Sequence, residues 1–446
     1  MKSLPLQVQI TDLLQDHVIL LPETVSKQLR IDRRSTMRIR FGNAEDTVKV
    51  ERMKHEFDRI YISQDVATQL NIPFSQLAHL KRENNTLRLG PVVGFLIAGV
   101  PIHRLESKMN SLIPSMNLNE NYLFLFKAKD VDWENKVVVG YFLSVGEGKK
   151  GRIEEHKISF PDVIYNCIPN RRLEKKILPH FTKNIKQNMA CTFFNSSFFN
   201  KWKLHQLMAA HMETSSYLPE TKHATIPTIE DMLHRYPTIV LKPTGGSLGR
   251  GIIKITRLDE QHYTAQFYEK LHPVKINYQS FSQLVKEQLS QIDLTDYLVQ
   301  QGILLIHSDG CPIDFRVHLN KAGSNKWHLS GLIAKVAGKN CVTTHVRTGG
   351  RVTDAESALE KWFKSDSHKI LIELEEISIH IATIVELSLN QPIGELGLDL
   401  GIDQQGKVWL FEVNSKPGHI ALRHAPSGKL HWFYRLMDYC HDLSGF

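Results

Sequence analysis

The sequence predicts an α/β (α+β) protein of three domains. Three observations carry this: a repeat inside the first ninety residues, unbroken apolar strands from Pro91 onward, and a glycine-rich loop between two apolar strands with carboxylates at strand ends far downstream. At ~150 residues per domain, a chain of 446 residues can build several domains and bury a sizeable core.

The repeat comes first. HVILLPETVSKQLRI begins at His17 and DRIYISQDVATQLNI at Asp58, an offset of 41. Ile19 then matches Ile60, Leu21 matches Ile62, Val25 matches Val66, Leu29 matches Leu70 and Ile31 matches Ile72. Each copy reads as an alternating strand, a short helix, and a further strand (MRIRF from Met37, LAHLKR from Leu77). Two such units that bury each other's apolar faces form a pseudo-twofold barrel, so residues 1–90 are expected to be a duplicated, small β-barrel-like domain. The copies resemble the half-units of double-psi and swapped-hairpin barrels, including the LPxxxxxxL pattern of AbrB-type DNA-binding modules.

From Pro91 the pattern changes to apolar strands, VVGFLIAGV, YLFLFKAKD and NKVVVGYFLSV, with a polar helical stretch near residues 103–118. Strands apolar throughout belong in a sheet covered on both faces. FPDVIYNCIPNRRLE adds one more strand, with Arg171 and Arg172 just past it. Residues 91–185 are therefore read as a small α/β domain and 186–446 as the third. The third opens with a helix near residues 201–212 and continues as helix, strand, glycine loop and strand through PTIEDMLHRYPTIVLKPTGGSLGRGIIKIT. DYLVQQGILLI, PIDFRVHLNK, a long helix over residues 357–388, and the strands GLDLGI and KVWLFEVNSKPG follow.

Composition excludes several classes. Apolar residues make 42% and charged residues 23%, which rules out wholesale disorder. The longest nearly apolar run, Pro91 to Ile102, is far short of the ~20 residues of a bilayer span. No apolar block precedes Gln7, Gln9 and Asp12, so neither a signal peptide nor a membrane partner is expected, and the compartment is read as cytoplasmic. Five scattered cysteines without a CxxC pair argue for reduced core thiols and against structural zinc. The net charge of +8 is not a nucleic-acid footprint, because residues 1–90 carry only +3. The excess lies in residues 147–186, where 10 basic residues face 5 acidic ones. That stretch suits an anionic small substrate or a plain solvated surface.

Two clusters carry chemistry. In TGGSLGRG, Gly245, Gly246, Ser247, Gly249 and Gly251 can turn backbone N–H groups inward to cradle phosphate, or simply form a glycine-rich hairpin. It lacks the Gly-Lys-Ser/Thr ending and following helix of a Walker loop. Lys242, at the end of the apolar strand TIVLK, favours the phosphate reading, since a lysine there is otherwise costly. Downstream, Glu412 and Asn414 alternate on one strand face, and Asp399 precedes Glu412 by 13 residues, room for two strands and a turn over 403–406. Two carboxylates and an amide oxygen are hard ligands suited to Mg2+.

With these residues in view, the third block resembles the ATP-grasp superfamily. LKPTGGSLGRG matches its lysine and flexible loop, YLVQQGI its adenine hinge, DFR its basic position, and GLDL with EVNSKPG its metal strands. More narrowly, the chain resembles the YheC/YheD family of endospore coat-associated proteins, through VIYNCIPNRRLE and the repeat-bearing N-terminus. The resemblance implies an ATP-grasp two-lobe fold, lobes about 186–299 and 300–446, preceded by the small α/β domain and the pseudo-duplicated barrel-like domain.

It further implies ATP with Mg2+, or Mn2+ in its place, as cofactors. Lys201 and Lys242 would contact the α/β phosphates, the 245–251 loop would cover β and γ, and Gln300, Gln301, Gly302 and Ile303 would meet the adenine. Asp399, Glu412 and Asn414 would hold metal, with Arg316 and Lys335 as the catalytic cations. The implied reaction is ligation of a carboxylate, activated as acyl phosphate, to an amine or thiol. A non-catalytic ATP-binding scaffold of the spore coat is the alternative. Arg171 and Arg172 would bind a small anionic carboxylate or peptide acceptor, or serve as ordinary turn residues. Spore coat proteins and a second copy of the chain are the other partners considered, with the cytoplasm of the sporulating cell or the coat as location. Two positions depart from the family pattern: Lys335 stands where arginine is common and His345 where asparagine is common. Lysine keeps the charge but loses the bidentate fork. His345 is open to three roles: metal-proximal ligand, proton carrier or packing residue.

Overall fold

The computed structural model describes residues 3–32, 35–54, 58–101, 104–106, 120–145, 151–245, 250–270, 272–339, 341–344, 349–425 and 428–446. The repeat folds as its apolar alternation requires. One copy supplies β2 (Val18–Pro22), α1 (Glu23–Gln28) and β3 (Ser35–Phe41). The other supplies β5 (Arg59–Ser63), α2 (Gln64–Gln69) and β6 (Leu77–Glu83). With β1 (Leu4–Thr11), β4 (Ala44–Met53) and β7 (Thr86–Gly90) they close a seven-stranded barrel in the order β1-β5-β2-β4-β3-β7-β6. Ile19 of one copy and Ile62 of the other face each other across β2 and β5. Ile19, Leu21, Val25, Leu29 and Ile31, with their counterparts Ile60, Ile62, Val66, Leu70 and Ile72, are all buried.

A mixed sheet follows, built on β8 (Val92–Ile97), β9 (Tyr122–Lys127), β11 (Val137–Val145), β12 (Gly151–Ser159), β13 (Val163–Asn166) and β14 (Thr192–Phe194). β8 pairs in parallel with β9 and β13. Its residues alternate between two cores. Val92 and Leu96 join the barrel core, continuous with Phe124 and Phe126. Val93, Phe95 and Ile97 pack with Trp432, Phe433 and Leu436 near the C-terminus. A strand buried on both faces has to be apolar at every position, which is why VVGFLI shows no polar alternation.

Two corrections concern helices. Arg171 and Arg172 are not turn residues: they open α3 (Arg171–Asn188), capped by Asn170, whose side chain accepts from Leu173 N at 3.0 Å. Pro179 inside this helix masked the signal. The expected single helix over 357–388 is two, α7 (Ala355–Phe363) and α8 (Ser367–Leu389). They are separated at Lys364, whose φ of 52° no continuous helix accommodates. The helix expected near 103–118 falls, apart from 104–106, outside the described residues.

The remainder forms two lobes. The first carries α4 (Lys201–Ala210), α5 (Ile226–Arg235), α6 (Phe281–Glu287) and a sheet of β15 (Thr221–His223), β16 (Thr238–Pro243), β17 (Ile253–Arg257), β18 (Tyr263–Glu269), β19 (His272–Tyr278) and β20 (Tyr297–Gln301) in the order β15-β20-β16-β17-β18-β19. The second sheet contains β22 (Cys311–Lys321), β23 (Trp327–Val336), β24 (Arg351–Thr353), β25 (Glu395–Ile402) and β26 (Val408–Asn414) in the order β24-β23-β22-β25-β26. After α9 (Ile420–His424), the terminal helix α10 (Gly428–Ser444) returns to cover the mixed sheet beside the barrel. Among the described residues no helix is long and apolar enough to cross a membrane, and none of the five cysteines is in a disulfide.

Asn43 ties the barrel to the mixed sheet. Its Nδ2 donates to Phe160 O at 3.2 Å and Pro161 O at 3.0 Å, and its Oδ1 accepts from Ala190 N at 2.8 Å. Asn43→Ala strands these partners, so the urea midpoint should fall by the equivalent of about 1–3 kcal/mol. An unchanged midpoint would mean that the Asn43 side chain contributes nothing to holding the barrel against the mixed sheet.

Candidate active site

Strand register builds the site. Across three neighbouring antiparallel strands, Arg316 on β22 lies opposite Asp399 on β25, which lies opposite Glu412 on β26. Alternation brings Asp314 to the same face of β22 as Arg316, and Asn414 to the face of Glu412. Lys335 on β23 lies opposite Asp314. Cations and carboxylates therefore interleave along one face.

The contacts follow from this register. Arg316 grips Asp399 with two parallel bonds, Nε to Oδ1 at 3.0 Å and Nη2 to Oδ2 at 2.8 Å. Lys335 Nζ donates to Asp399 Oδ1 at 3.0 Å and lies 2.9 Å from Asp314 Oδ1. Asn414 Nδ2 donates to Asp399 Oδ2 at 3.2 Å. Burial alone would raise the Asp399 pKa, but Arg316 and Lys335 outweigh it and hold the carboxyl well below its usual range. Burial acts against the charge of Lys335 as well, and Asp314 and Asp399 more than restore it.

The other lobe faces this sheet with two further lysines. Lys201, the first residue of α4, is placed by the Asn200 cap and lies 3.4 Å from Glu412 Oε1. Lys242 near the end of β16 donates to Gln300 Oε1 and sits 5.3 Å from the centre of the Phe411 ring. Burial pushes the Lys242 pKa down to about 8, the nearby charge of Lys201 adds to the fall, and Glu412 and Asp399 partly offset it.

The loop and hinge are divided. Gly245 and Gly251 are described, while Gly246, Ser247 and Gly249 lie outside the described residues, as does His345. Gly251 has φ of +73°, and a Cβ there would come within 2.9 Å of both Pro243 and the Tyr297 hydroxyl, so glycine is required. At the hinge, Gln301 N–H and Gly302 N–H are already committed to Glu220 O at 2.8 Å and Thr238 O at 2.9 Å. The Gln300 side chain bridges Lys242 and Thr221. The backbone N–H groups of Gln301 and Gly302 are therefore already in use within the sheet.

Arg171 and Arg172 stand apart from the cation cluster. Arg171 Nη2 donates to Phe199 O at 2.7 Å and its guanidinium lies over the Phe198 ring, whereas Arg172 is exposed. The same helix holds the buried Glu174, which accepts from Phe198 N at 2.7 Å and pairs with Lys416, two residues past Asn414. This helix start is thus anchored to the end of the carboxylate strand.

Sequence reasoning missed Asp314, Phe411 and the side-chain role of Gln300. The DFR triplet held the signal for Asp314, since alternate residues of a strand share a face. Asp403, left out of the metal set, accepts from Gln405 N at 3.0 Å, Lys407 N at 2.9 Å and Trp409 Nε1 at 2.9 Å, and so belongs to the turn. Asp399, Glu412 and Asn414 supply oxygen donors from adjacent strands, a set that fits Mg2+.

The chain matches one family model and is similar to several known proteins. The family model described as YheC/D like ATP-grasp matches residues 190–443. Endospore coat-associated protein YheD of Bacillus subtilis (strain 168) is 30% identical over 393 residues, covering 86% of this chain and 85% of that protein. Endospore coat-associated protein YheC of the same organism is 25% identical, covering 62% of this chain and 76% of that protein. Among solved structures, D-alanyl-alanine synthetase A from Vibrio cholerae superposes with a TM-score of 0.44 at 14% identity, over 80% of this chain and 97% of that one.

Asp399→Asn removes the charge that Arg316 and Lys335 share. Breaking a buried pair from one side costs about 3 kcal/mol, readable as a lower urea midpoint near neutral pH. The depressed carboxyl stabilises the fold above its unfolded pKa of ~3.9 and ceases to do so as the pH falls through its lower folded value. The gap between variant and wild type should accordingly narrow below pH ~4. A gap that stays constant to low pH would show that the substitution acts through shape and not charge.

Proposed function

Because the chain belongs to the YheC/D-like ATP-grasp family, we propose that it is an ATP- and Mg2+-dependent ligase acting in spore coat formation. The reaction phosphorylates a carboxylate to an acyl phosphate, and an amine or thiol then displaces phosphate. The observation that carries the reading is the interleaved register of Arg316, Asp399 and Glu412 with Lys335 on one side and Lys201 and Lys242 across from it.

Each residue has a role that its surroundings support. Lys201 and Lys242 neutralise the α/β phosphates, and the glycine loop from Gly245 to Gly251 covers β and γ. Ile303 reads the adenine edge. Asp399, Glu412 and Asn414 would hold Mg2+, which when bound supplies charge neutralisation for phosphoryl transfer. Arg316 and Lys335 stabilise the transferred group. Asp399 and Asp314 hold both cations beside the metal ligands. Since Arg171 is engaged with 198–199, the acceptor carboxylate is assigned to Arg316, and Arg172 is left as a surface residue. No serine or cysteine nucleophile is required for this chemistry.

The scaffold reading, in which the chain binds nucleotide within the coat without turnover, draws on one observation. Asp399 is already paired with two cations and so has to exchange partners when metal arrives. The assay that separates the readings is ADP release from Mg·ATP across a panel of amino-acid and peptide acceptors. Acceptor-stimulated release supports the ligase, and tight binding of Mg·ATP with no stimulated release across the panel supports the scaffold.

Nucleotide binding is checked by thermal shift. Mg·ATP should raise the melting temperature by mass action, and Lys242→Ala should remove most of that rise. The pKa of about 8 sets the pH dependence. A protonated Lys242 binds phosphate, so affinity should be flat below pH 8 and fall above it, by up to about tenfold per unit while one proton is linked. Lys242→Arg stays charged and should lose the break at pH 8. A break that persists in Lys242→Arg would assign it to another group.

A further inference from the structure

Behind the Arg316–Asp399 pair, the same two strands bring together side chains that the ligase chemistry does not use. His318 follows Arg316 by two on β22 and Glu395 precedes Asp399 by four on β25, so both continue the site's face inward. His419, just before α9, closes the group. His318 Nε2 lies 2.7 Å and His419 Nε2 3.3 Å from the same oxygen, Glu395 Oε1. One ligand atom from each residue falls within 4.8 Å of the others. His318 and Glu395 are wholly buried.

The His318 contact is close, but it is not aligned as a hydrogen bond. Neither ring nitrogen of the buried His318 has a hydrogen-bond partner among the described residues, although Nε2 is within reach of Oε1. Leaving buried polar atoms unpaired is costly, and so is burying a carboxylate. Three ligand atoms within 4.8 Å of one another are close enough to share one cation. Glu395 is oriented from behind by Tyr165, whose hydroxyl donates to Oε2, and by Trp432 Nε1, which donates to Oε1 at 3.2 Å. Carboxylate ligands of metals are held by outer hydrogen bonds of this kind.

We propose that His318 Nε2, Glu395 Oε1 and His419 Nε2 form a site for a late first-row divalent cation, Zn2+ above all. Two imidazoles and one carboxylate are a known zinc donor set that leaves a fourth position for water or substrate. Imidazole also sets this site apart from the all-oxygen set of Asp399, Glu412 and Asn414, which suits Mg2+. The absence of CxxC pairs bears only on cysteine zinc sites. The three ligands and their supports come from β22, β25, the start of α9, β13 and α10. A bound ion would therefore fasten the catalytic sheet to the mixed sheet and the terminal helix directly under Arg316.

The test uses the full chain, stripped with chelator and then titrated with Zn2+. Bound metal is measured by mass spectrometry after desalting. Wild type should retain one Zn2+ per chain, and Co2+ in its place should give the intense visible bands of tetrahedral coordination. His419 is about one-third exposed, so His419→Ala should fold with the melting curve of metal-free wild type while losing at least about tenfold in Zn2+ affinity. Glu412→Gln should keep wild-type Zn2+ affinity while weakening Mg·ATP, which separates this site from the nucleotide site. Wild type that retains no Zn2+ overturns the proposal. So does Zn2+ that survives His419→Ala, and so does Zn2+ lost in Glu412→Gln, which would place the ion among the oxygen ligands. Should His419→Ala fail to fold, the Co2+ spectrum of wild type decides alone: tetrahedral bands support the site and octahedral bands overturn it.

Discussion

Everything in the cleft depends on where the charge of Asp399 goes. A carboxylate that buried is unfavourable alone, and here it is shared by the fork of Arg316, the ammonium of Lys335 and the amide of Asn414. That sharing aligns β22, β23, β25 and β26 in one register and fixes the direction of two cations that would otherwise sample many rotamers. Glu412 is left with Lys201 as its ion-pair partner across the cleft. The sheet and the opposing lobe are thus joined through opposite charges.

The three sheets below are less separate than a count of domains suggests. The barrel and one face of β8 share a continuous core, and the other face of β8 shares a core with α10. Polar contacts repeat the arrangement at the edges. Asn43 links the barrel to residues 160–161 and 190, Glu174 links α3 to Lys416, and Tyr165 reaches Glu395. Movement of the mixed sheet relative to the carboxylate-bearing sheet has to break buried contacts near Asn414. The preceding sheet accordingly acts as a support for the cleft floor, and Arg171 takes part through Phe198 and Phe199.

Local patterns were legible wherever one residue's neighbours along the chain decided its environment. The 41-residue offset gave the barrel, because two copies with matching apolar positions can only bury them against each other. Period-two alternation put Glu412 with Asn414 on one face, and the Asp403 turn supplied the hairpin that brings Asp399 opposite them. The glycine spacing between β16 and β17 located the loop, and Gly251 shows why glycine is needed there. Family resemblance added the lobes. What the local signals could not show was the break at Lys364, where a left-handed residue sits in a sequence with helical propensity on both sides, or the helix hidden by Pro179.

The sequence by itself determined the elements, the repeat and the identity of the chemical groups, since propensity and periodicity act over a few residues. Only the tertiary structure decided which charges meet. Asp314 with Lys335, Glu174 with Lys416, and His318 with Glu395 and His419 are joined by strand order and by the return of the C-terminal helix. These pairings span up to 242 residues, and no short-range pattern encodes them. The physical reason is desolvation. A lone charge is tolerated at the surface, but in the interior each one must find an opposite charge or a ligand, and the partner available is whichever residue the packing of distant elements brings there.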